Sequence, residues 1–348
     1  IEEDVIEEFA RIFGYDNLPT KKLTSEVPEY KPNDYLGFKE AIRNNFVASG
    51  LSEIVSYVVS TRKDLEVVGA WPENDEAMKL LNPMDQTRPW LRSSLLGNLC
   101  EGLAKNQRLS PSGIRLFEMG HIFAWGANQP HDSLPNETEQ LVGGITGLRS
   151  SITLWQQQEE TVDFFDLKGI LEVALPLNGL SLSFLPADHL AFKKGVCASI
   201  SVDDRDVGYL GQISANVANH FDLPGEGTFI FQIDLTSLGE IVDAKPNMFE
   251  PIARFPSSTR DVALIADTHT SSAAIESIIG AHRLVDGVFP IDSYIGEEIP
   301  TGHKSITYRI IFQSDTGTLE TNDIDKAQAQ IMRSLKHQLN VSERFSSD

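Results

Sequence analysis

Three carboxylates near the start of the chain have the spacing of a cation site. Asp4, Glu7 and Glu8 are separated by three and by one residue, so they share one face of a helix. Hard oxygen ligands of this kind suit Mg²⁺, which binds one or two carboxylates and keeps several waters. Acidic side chains in a first helical turn also complement the positive end of the helix dipole, and the spacing alone favours this second interpretation.

The other patterns that would indicate catalysis are incomplete. The most glycine-rich stretch, residues 143–147, lies in an apolar strand pattern without G-x-G-x-x-G spacing, which predicts close backbone packing. The sequence has no P-loop lysine, no G-x-S-x-G turn and no H-E-x-x-H motif. The eight histidines are scattered, and Cys100 and Cys197 are the two cysteines. This predicts neither a zinc cluster nor a disulfide framework and favours a reducing compartment.

The charge balance excludes general adhesion to polyanions. The 348 residues contain 29 Lys and Arg against 50 Asp and Glu, a formal net charge of −21. Such a surface predicts a soluble protein that does not bind DNA or anionic membranes by charge, although a local RNA site is compatible with it. No apolar run approaches the roughly 20 residues of a membrane helix. Because Ile1 falls inside a helical pattern, we expect the chain to be a piece of a longer protein.

The helix and strand patterns predict an α+β fold. An opening helix ends at Gly14, and a polar connector follows at residues 20–33. Strands and helices do not alternate strictly over 20–250, which predicts a largely antiparallel sheet flanked by helices. Predicted strands are 53–60, 114–123, 141–148, a hairpin over 196–213 and 229–235, and predicted helices are 35–49, about 95–103 and 166–174.

Residues 251–348 have a different element order. The pattern predicts a strand at 261–266, a helix at 272–281, strands at 285–294 and 305–312, a helix at 322–339 and an edge strand at 341–345. This is the βαββαβ order of a ferredoxin-like domain. The period of two over 306–312 predicts one buried sheet face.

Several segments, taken together, resemble the β subunit of bacterial-type phenylalanyl-tRNA synthetase. Residues 4–19 (DVIEEFARIFGYDNLP) are similar to the end of that family's B5 module. Segments similar to its catalytic-like module are 81–83 (LNP), 91–96 (LRSSLL), 114–123 (IRLFEMGHIF), 162–169 (VDFFDLKG) and 221–224 (FDLP). Segments similar to its ferredoxin-like anticodon-binding domain are 254–256 (RFP), 260–261 (RD) and 294–313. The resemblance divides the chain at 1–19, 20–250 and 251–348.

The resemblance implies a class II synthetase-like core that does no chemistry. In the family, a catalytic α subunit uses ATP and Mg²⁺ in a cytoplasmic α2β2 heterotetramer that charges tRNA(Phe) with phenylalanine. Class II enzymes stabilise the transition state with arginines from motifs 2 and 3. Here Ala124 and Trp125 follow the strand that resembles motif 2, and Asp234, Thr236 and Ser237 occupy the motif 3 place. We therefore expect a partner of the catalyst. The alternative is a stand-alone ferredoxin-like regulatory or ligand-sensing protein, which the 4–19 segment disfavours.

Two groups of site residues are implied by the resemblance. Asp4, Glu7 and Glu8 match the family's D-x-x-E-E group of Mg²⁺ ligands, whose further aspartate would precede Ile1, so we expect an incomplete site. The helix that resembles motif 1 is expected to contact another chain through Phe38, Ile42 and Phe46. Packing of Phe46 inside its own domain is the rival interpretation.

The RNA candidates lie in the C-terminal domain. Residues 254–348 contain nine Lys and Arg against 13 Asp and Glu, a net charge of −4, so few and specific contacts are expected. The candidate cations are Arg254, Arg260, Lys304 and Arg309, and pairing of Arg260 with adjacent acids is the alternative. Tyr294 and Tyr308 are candidates for base stacking, although their strand pattern favours the core.

Overall fold

The computed structural model describes residues 1–21, 29, 31–72, 77–110, 112–125, 134–149, 159–243, 252–296 and 298–344. The chain forms two compact units, residues 1–248 and 249–348. The connector predicted at 20–33 and the boundary near 243–251 lie largely outside the described residues. Among the helices that the structure describes, none has both the length and the apolar composition of a membrane span.

Unit 1 begins with a helix whose apolar stripe is exposed. Helix α1 (Glu2–Phe13) ends at Gly14, whose φ of 91° is in the left-handed region, and a short 3-10 helix (Tyr15–Asn17) follows. The exposed stripe is Val5, Ile6, Phe9, Ile12 and Phe13.

A seven-stranded sheet forms the rest of unit 1. Its order is β1-β4-β5-β9-β8-β7-β6, and its pairs are antiparallel except β1 with β4. The strands are β1 (Ser52–Glu53), β4 (Ile114–Ala124), β5 (Asn136–Thr146), β6 (Leu182–Pro186), β7 (Phe192–Val202), β8 (Arg205–Ile213) and β9 (Thr228–Asp234). A separate pair joins β2 (Val59–Ser60) to β3 (Trp90–Leu91). The predicted α+β architecture is confirmed.

Helices cover both faces of this sheet. On one face lie α2 (Asp34–Ala48), α5 (Phe164–Ala174) and α7 (Leu235–Asp243), which bury Phe46, Leu171 and Leu238. On the other face lie α4 (Leu96–Gln107) and α6 (Ala215–Phe221), which bury Leu99 and Val217, with α3 (Arg62–Val67) packed against α6. Apolar side chains from the helices therefore fill both sides of the sheet.

The strand predicted over 53–60 is wrong in its middle. Residues 54–58 lie between β1 and β2, where Ile54 N still donates to Phe117 O of β4 at 2.9 Å but Ser56 binds a buried ion pair instead of a strand. The Ser56 amide and hydroxyl donate to Glu118 Oε1 at 3.1 and 2.8 Å, and Arg92 Nη1 donates to the same oxygen at 3.1 Å. The Ser56 amide is satisfied by this carboxylate, and the Tyr57 carbonyl accepts from Asn98 Nδ2 at 3.0 Å, so the strand ladder is interrupted there.

Close strand packing explains the glycine-rich stretch. A Cβ at Gly143 would overlap the Phe231 ring, and a Cβ at Gly144 would lie 2.9 Å from both Ile230 Cγ2 and Leu103 Cδ1. Real Cβ contacts are not this short, so the close backbone packing predicted from the sequence is confirmed.

Unit 2 is a four-stranded antiparallel sheet with two helices on one face. The order β11-β12-β10-β13 is that of a ferredoxin-like fold. Its elements are β10 (Ser258–Asp267), α8 (Ser272–Gly280), β11 (Val285–Tyr294), β12 (His303–Phe312), α9 (Thr321–Leu339) and β13 (Ser342–Glu343). Leu264, Tyr308 and Ile331 are buried between the sheet and the helices. The predicted fold is confirmed, and the last residue of the predicted edge strand, Phe345, lies outside the described residues.

Candidate nucleic-acid interface

The sheet face of unit 2 opposite α8 and α9 is the candidate interface. Strands β10 and β12 pair without a bulge from Ser258–Phe312 to Asp267–His303, so alternate residues lie on opposite faces. Leu264 and Tyr308 are in the core under the helices. Asp261 and Arg309, which have the other parity, lie on the open face.

An ion pair occupies the middle of this open face. Arg309 Nε and Nη2 donate to Asp261 Oδ1 and Oδ2 at 2.9 and 2.8 Å. The hydrogen bonds from Arg309 lower the pKa of the Asp261 carboxyl and raise the pKa of the guanidinium. The Arg309 side chain is 50% exposed and the Asp261 side chain is 42% exposed. Since the pair uses two of the five N–H donors of Arg309, the guanidinium keeps donors for an RNA group.

Phe289 extends the pair into a row on the open face. The strand register places Phe289 opposite Arg309, and Arg309 opposite Asp261. The Phe289 side chain is 51% exposed. An exposed aromatic ring beside a guanidinium on a sheet is suited to stacking an unpaired base. We call Asp261, Arg309 and Phe289 the open-face row; the sequence prediction did not include Phe289.

The other predicted cations lie elsewhere. Arg260 and Lys304 have the parity of the core residues, so they lie on the helix side of the sheet, near opposite ends of the β10–β12 ladder. Arg260 Nη1 donates to Thr259 O at 3.3 Å, and Lys304 Nζ donates to Thr268 O at 3.1 Å. Arg254 is exposed ahead of β10. Of the four candidate cations, the structure places Arg309 on the open face.

The two tyrosines differ in accessibility. Tyr308 is fully buried, and its hydroxyl lies 2.7 Å from Ser272 Oγ, so the stacking role considered for it is wrong. Burial raises the pKa of this phenol. Tyr294 is 41% exposed, and the guanidinium of Arg344 lies 5.7 Å from its ring centroid.

The predicted Mg²⁺ ligands lie on exposed turns of α1. Glu8 pairs with Arg11 at 2.6 Å, and the side chains of Asp4 and Glu7 are also exposed. Within the described ranges, no three His, Cys, Asp or Glu side chains are grouped so that they could hold a metal ion. The three carboxylates alone therefore do not fit a Mg²⁺ site, and their participation in one stays a prediction.

The predicted subunit contacts of α2 are partly corrected. Ile42 and Phe46 are fully buried in their own domain, and the Phe46 ring lies 5.3 Å from that of Phe117. Neither residue is accessible to another chain, so the contact that the resemblance to motif 1 implied does not involve them, and their side chains fill the core of unit 1. Phe38 is only partly buried and lines a groove of about 860 Å³ between α2 and α7, so a partner contact for it stays a prediction.

Two family models match successive parts of the chain. Residues 18–235 match the phenylalanyl tRNA synthetase beta chain CLM domain, and residues 253–344 match the ferredoxin-fold anticodon binding domain.

Curated relatives extend this similarity over nearly the whole chain. The phenylalanine–tRNA ligase beta subunit of Dehalococcoides mccartyi strain CBDB1 is 35% identical over 329 residues, which are 94% of this chain and 40% of the relative. That of Bacillus subtilis strain 168 is 30% identical over 340 residues, 97% and 41% respectively. The chain thus spans about two fifths of the length of these relatives. A pyrrolysyl tRNA synthetase structure from Desulfitobacterium hafniense aligns with a TM-score of 0.44 at 16% identity over 60% of this chain and 67% of that chain, too low a similarity to support an inference.

Proposed function

Since the chain belongs to the phenylalanyl-tRNA synthetase beta chain family, we propose that it is a non-catalytic part of a phenylalanine–tRNA ligase. In this proposal it assembles with a catalytic α subunit, which binds ATP and phenylalanine, and contributes to tRNA(Phe) binding. The observation that carries the proposal is the order of the two matches, 18–235 and 253–344, along one chain. A stand-alone sensor would need only the second domain.

The lack of a catalytic site is supported by the covered sheet of unit 1. Helices α2, α5 and α7 pack on one face and α4 and α6 on the other, so apolar side chains occupy the surfaces on which a substrate would lie. Helix α7 contains no Lys or Arg. The buried Arg92 is engaged by Glu118 and by carbonyl groups, including that of His121. A phosphoryl-bearing transition state needs free cations in such a site.

The RNA role is supported by the open-face row of unit 2. A base of a splayed anticodon would stack on Phe289, while Arg309 donates to a base edge or a phosphate. Asp261 holds the guanidinium in a fixed plane beside the ring, which reduces the entropy lost on binding.

The proposal also includes a subunit composition, a cellular location and a cation. We place the chain in a cytoplasmic α2β2 class II enzyme, as the family resemblance implies. Mg²⁺ belongs to this proposal through the resemblance of Asp4, Glu7 and Glu8, and we assign it no step in this chain.

The catalytic and assembly parts are tested together. The purified chain is assayed for phenylalanine-dependent ATP–pyrophosphate exchange and is then mixed with the α subunit of the same organism for size-exclusion chromatography. We expect background exchange by the chain alone and co-elution with α. Robust exchange without α would refute the non-catalytic assignment, and separate elution would refute the subunit assignment.

A further inference from the structure

The helix side of unit 2 carries two adjoining cavities, each of about 350 Å³. The first lies beside the start of β11, the end of β12 and the first turns of α9. The second lies between α8 and α9. His282 and Gln330 border both cavities, and the residues that matter in the first are Arg283, Ser314, Thr316, Asp323 and Lys326.

The first cavity is positively charged within an acidic chain. Arg283 and Lys326 line it together with the single carboxylate of Asp323. The ion pairs that the described part of unit 2 forms are Arg309–Asp261 and Arg344–Glu298. Among the residues that the structure describes, Arg283 and Lys326 therefore have no ion-pair partner, and both line this cavity.

The walls of the cavity are held in place by hydrogen bonds. Leu284 N donates to His282 Nδ1 at 3.3 Å, so the other ring nitrogen carries the proton and donates to Gln330 Oε1 at 3.1 Å. This bond links the loop after α8 to the middle of α9. In the loop after β12, Thr316 N donates to Ser314 Oγ at 3.3 Å.

We propose that this first cavity binds a phosphate group through Arg283 and Lys326. The Arg283 guanidinium, from the loop before β11, and the Lys326 ammonium, from α9, line the cavity and supply charged donors that phosphate oxygens accept. The Ser314 and Thr316 hydroxyls are hydrogen-bonded to each other at 3.1 Å, which leaves one hydroxyl proton as a neutral donor. The volume is that of a small ligand pocket. The phosphate belongs to an RNA backbone or to a free phosphorylated compound, which present the same chemistry. The inference concerns the helix side of the sheet and does not rest on the proposed tRNA role of the open face.

The test is a calorimetric titration of the full chain with inorganic phosphate. We expect saturable binding that Arg283→Ala/Lys326→Ala weakens by about tenfold or more, since two charge-assisted contacts are lost. The matched control is Arg333→Ala/Lys336→Ala, which removes two exposed cations of α9 outside both cavities. No saturable binding by the wild type, or equal weakening by the control, would overturn the proposal. If circular dichroism shows that the alanine variant is misfolded, Arg283→Gln/Lys326→Gln replaces it.

Competition then separates the two sources of phosphate. A single-stranded oligoribonucleotide that displaces phosphate supports an RNA backbone ligand, and displacement by adenosine monophosphate alone supports a free phosphorylated compound. If neither competes, the bound phosphate is an adventitious ion only, and the assignment is wrong.

Discussion

Glu118 holds the irregular segment 54–58 against the sheet. Its side chain is 2% exposed and is shared by Ser56 and by Arg92, whose pKa burial lowers despite the opposing effect of Glu118. Replacement by Gln leaves the Arg92 charge buried without its partner. We expect Glu118→Gln to lower the free energy of unfolding by about 3–5 kcal/mol, measured by urea denaturation.

Glu53→Gln is the matched control for this prediction. Glu53 pairs with Arg43 at 2.8 Å, but the two side chains are 27% and 37% exposed. Solvent screens such a pair, so its loss should cost no more than about 1 kcal/mol. Equal losses of unfolding free energy for the two substitutions would show that burial does not increase the contribution of the Glu118–Arg92 pair to stability.

Phe289 is the residue on which RNA stacking should depend. Alanine substitution for an aromatic ring that stacks one base costs about 1–3 kcal/mol. We therefore expect Phe289→Ala to weaken tRNA(Phe) binding by the α–β assembly about 5- to 100-fold, measured by fluorescence anisotropy. Phe289→Tyr should keep the binding.

Phe165→Ala tests whether any exposed ring has this effect. Phe165 lies on α5 of unit 1 and is 72% exposed. We expect unchanged affinity for this variant. A Phe289→Ala variant that binds like the wild type would contradict the stacking role of the open face.

The sequence predicts which face of a strand each side chain lies on, but not which residue it faces on the neighbouring strand. The period of two in β12 places Tyr308 in the core and Arg309 outside, as observed. The position of Phe289 depends on which residues of β11 and β12 face each other, and β11 contains two register irregularities. The Asp261–Arg309 pair likewise joins strands 48 residues apart, which no local pattern encodes.

Among the elements, α2 is attached to the sheet by a carboxylate of β5. Glu139 Oε2 accepts from the Tyr35 hydroxyl at 2.5 Å, and Oε1 accepts from Lys39 Nζ at 2.7 Å. Burial opposes ionisation of Glu139, but the hydrogen bonds from Lys39 and Tyr35 outweigh it and lower the pKa of this carboxyl. The pKa of Glu139 is lower in the folded chain than in the unfolded chain, where it has its ordinary value of 4.5. Ionised Glu139 therefore stabilises the fold above pH 4.5, and this stabilisation is lost as the pH falls through the pKa of the folded carboxyl.

We expect Glu139→Gln to cost about 1–3 kcal/mol of unfolding free energy at pH 7. The difference from the wild type should shrink as the pH falls below about 4.5 toward the lowered pKa of the folded carboxyl, which takes up its proton there. The measurement is urea unfolding at several pH values. Glu172→Gln, in an exposed pair with Lys168, is the control. A cost for Glu139→Gln that does not change with pH would contradict the ionised role.

Apolar spacing predicted the existence of α2 but not what its apolar face contacts. The helix was expected at 35–49 and lies at Asp34–Ala48, with the Asn33 side chain accepting from Leu36 N. Ile42 and Phe46 have the same spacing whether they contact their own sheet or a partner chain. The sequence alone therefore does not distinguish a core role from an interface role. The middle of the strand predicted at 53–60 was equally undecidable, because its hydrogen-bond partner is the Glu118 side chain.

For the whole molecule, a net charge of −21 limits how RNA can be bound. Two or three phosphate contacts give a slope of about −2 for the logarithm of affinity against that of salt concentration, at about −0.7 to −0.9 per phosphate. We expect this shallow slope for residues 254–348, obtained by comparing tRNA(Phe) binding of the α–β assembly with and without them. A slope difference near −5 would indicate a broad electrostatic surface instead.

The glycines of the large sheet affect how the results of a mutational scan of this chain are interpreted. Side chains at Gly143 and Gly144 would meet Phe231, Ile230 and Leu103, and one at Gly208 would overlap the carbonyl group of Gln232. A selection for growth would therefore deplete almost every substitution at these positions, as it does for catalytic residues. Such a fitness map would show where neighbouring strands and helices leave no volume for a methyl group.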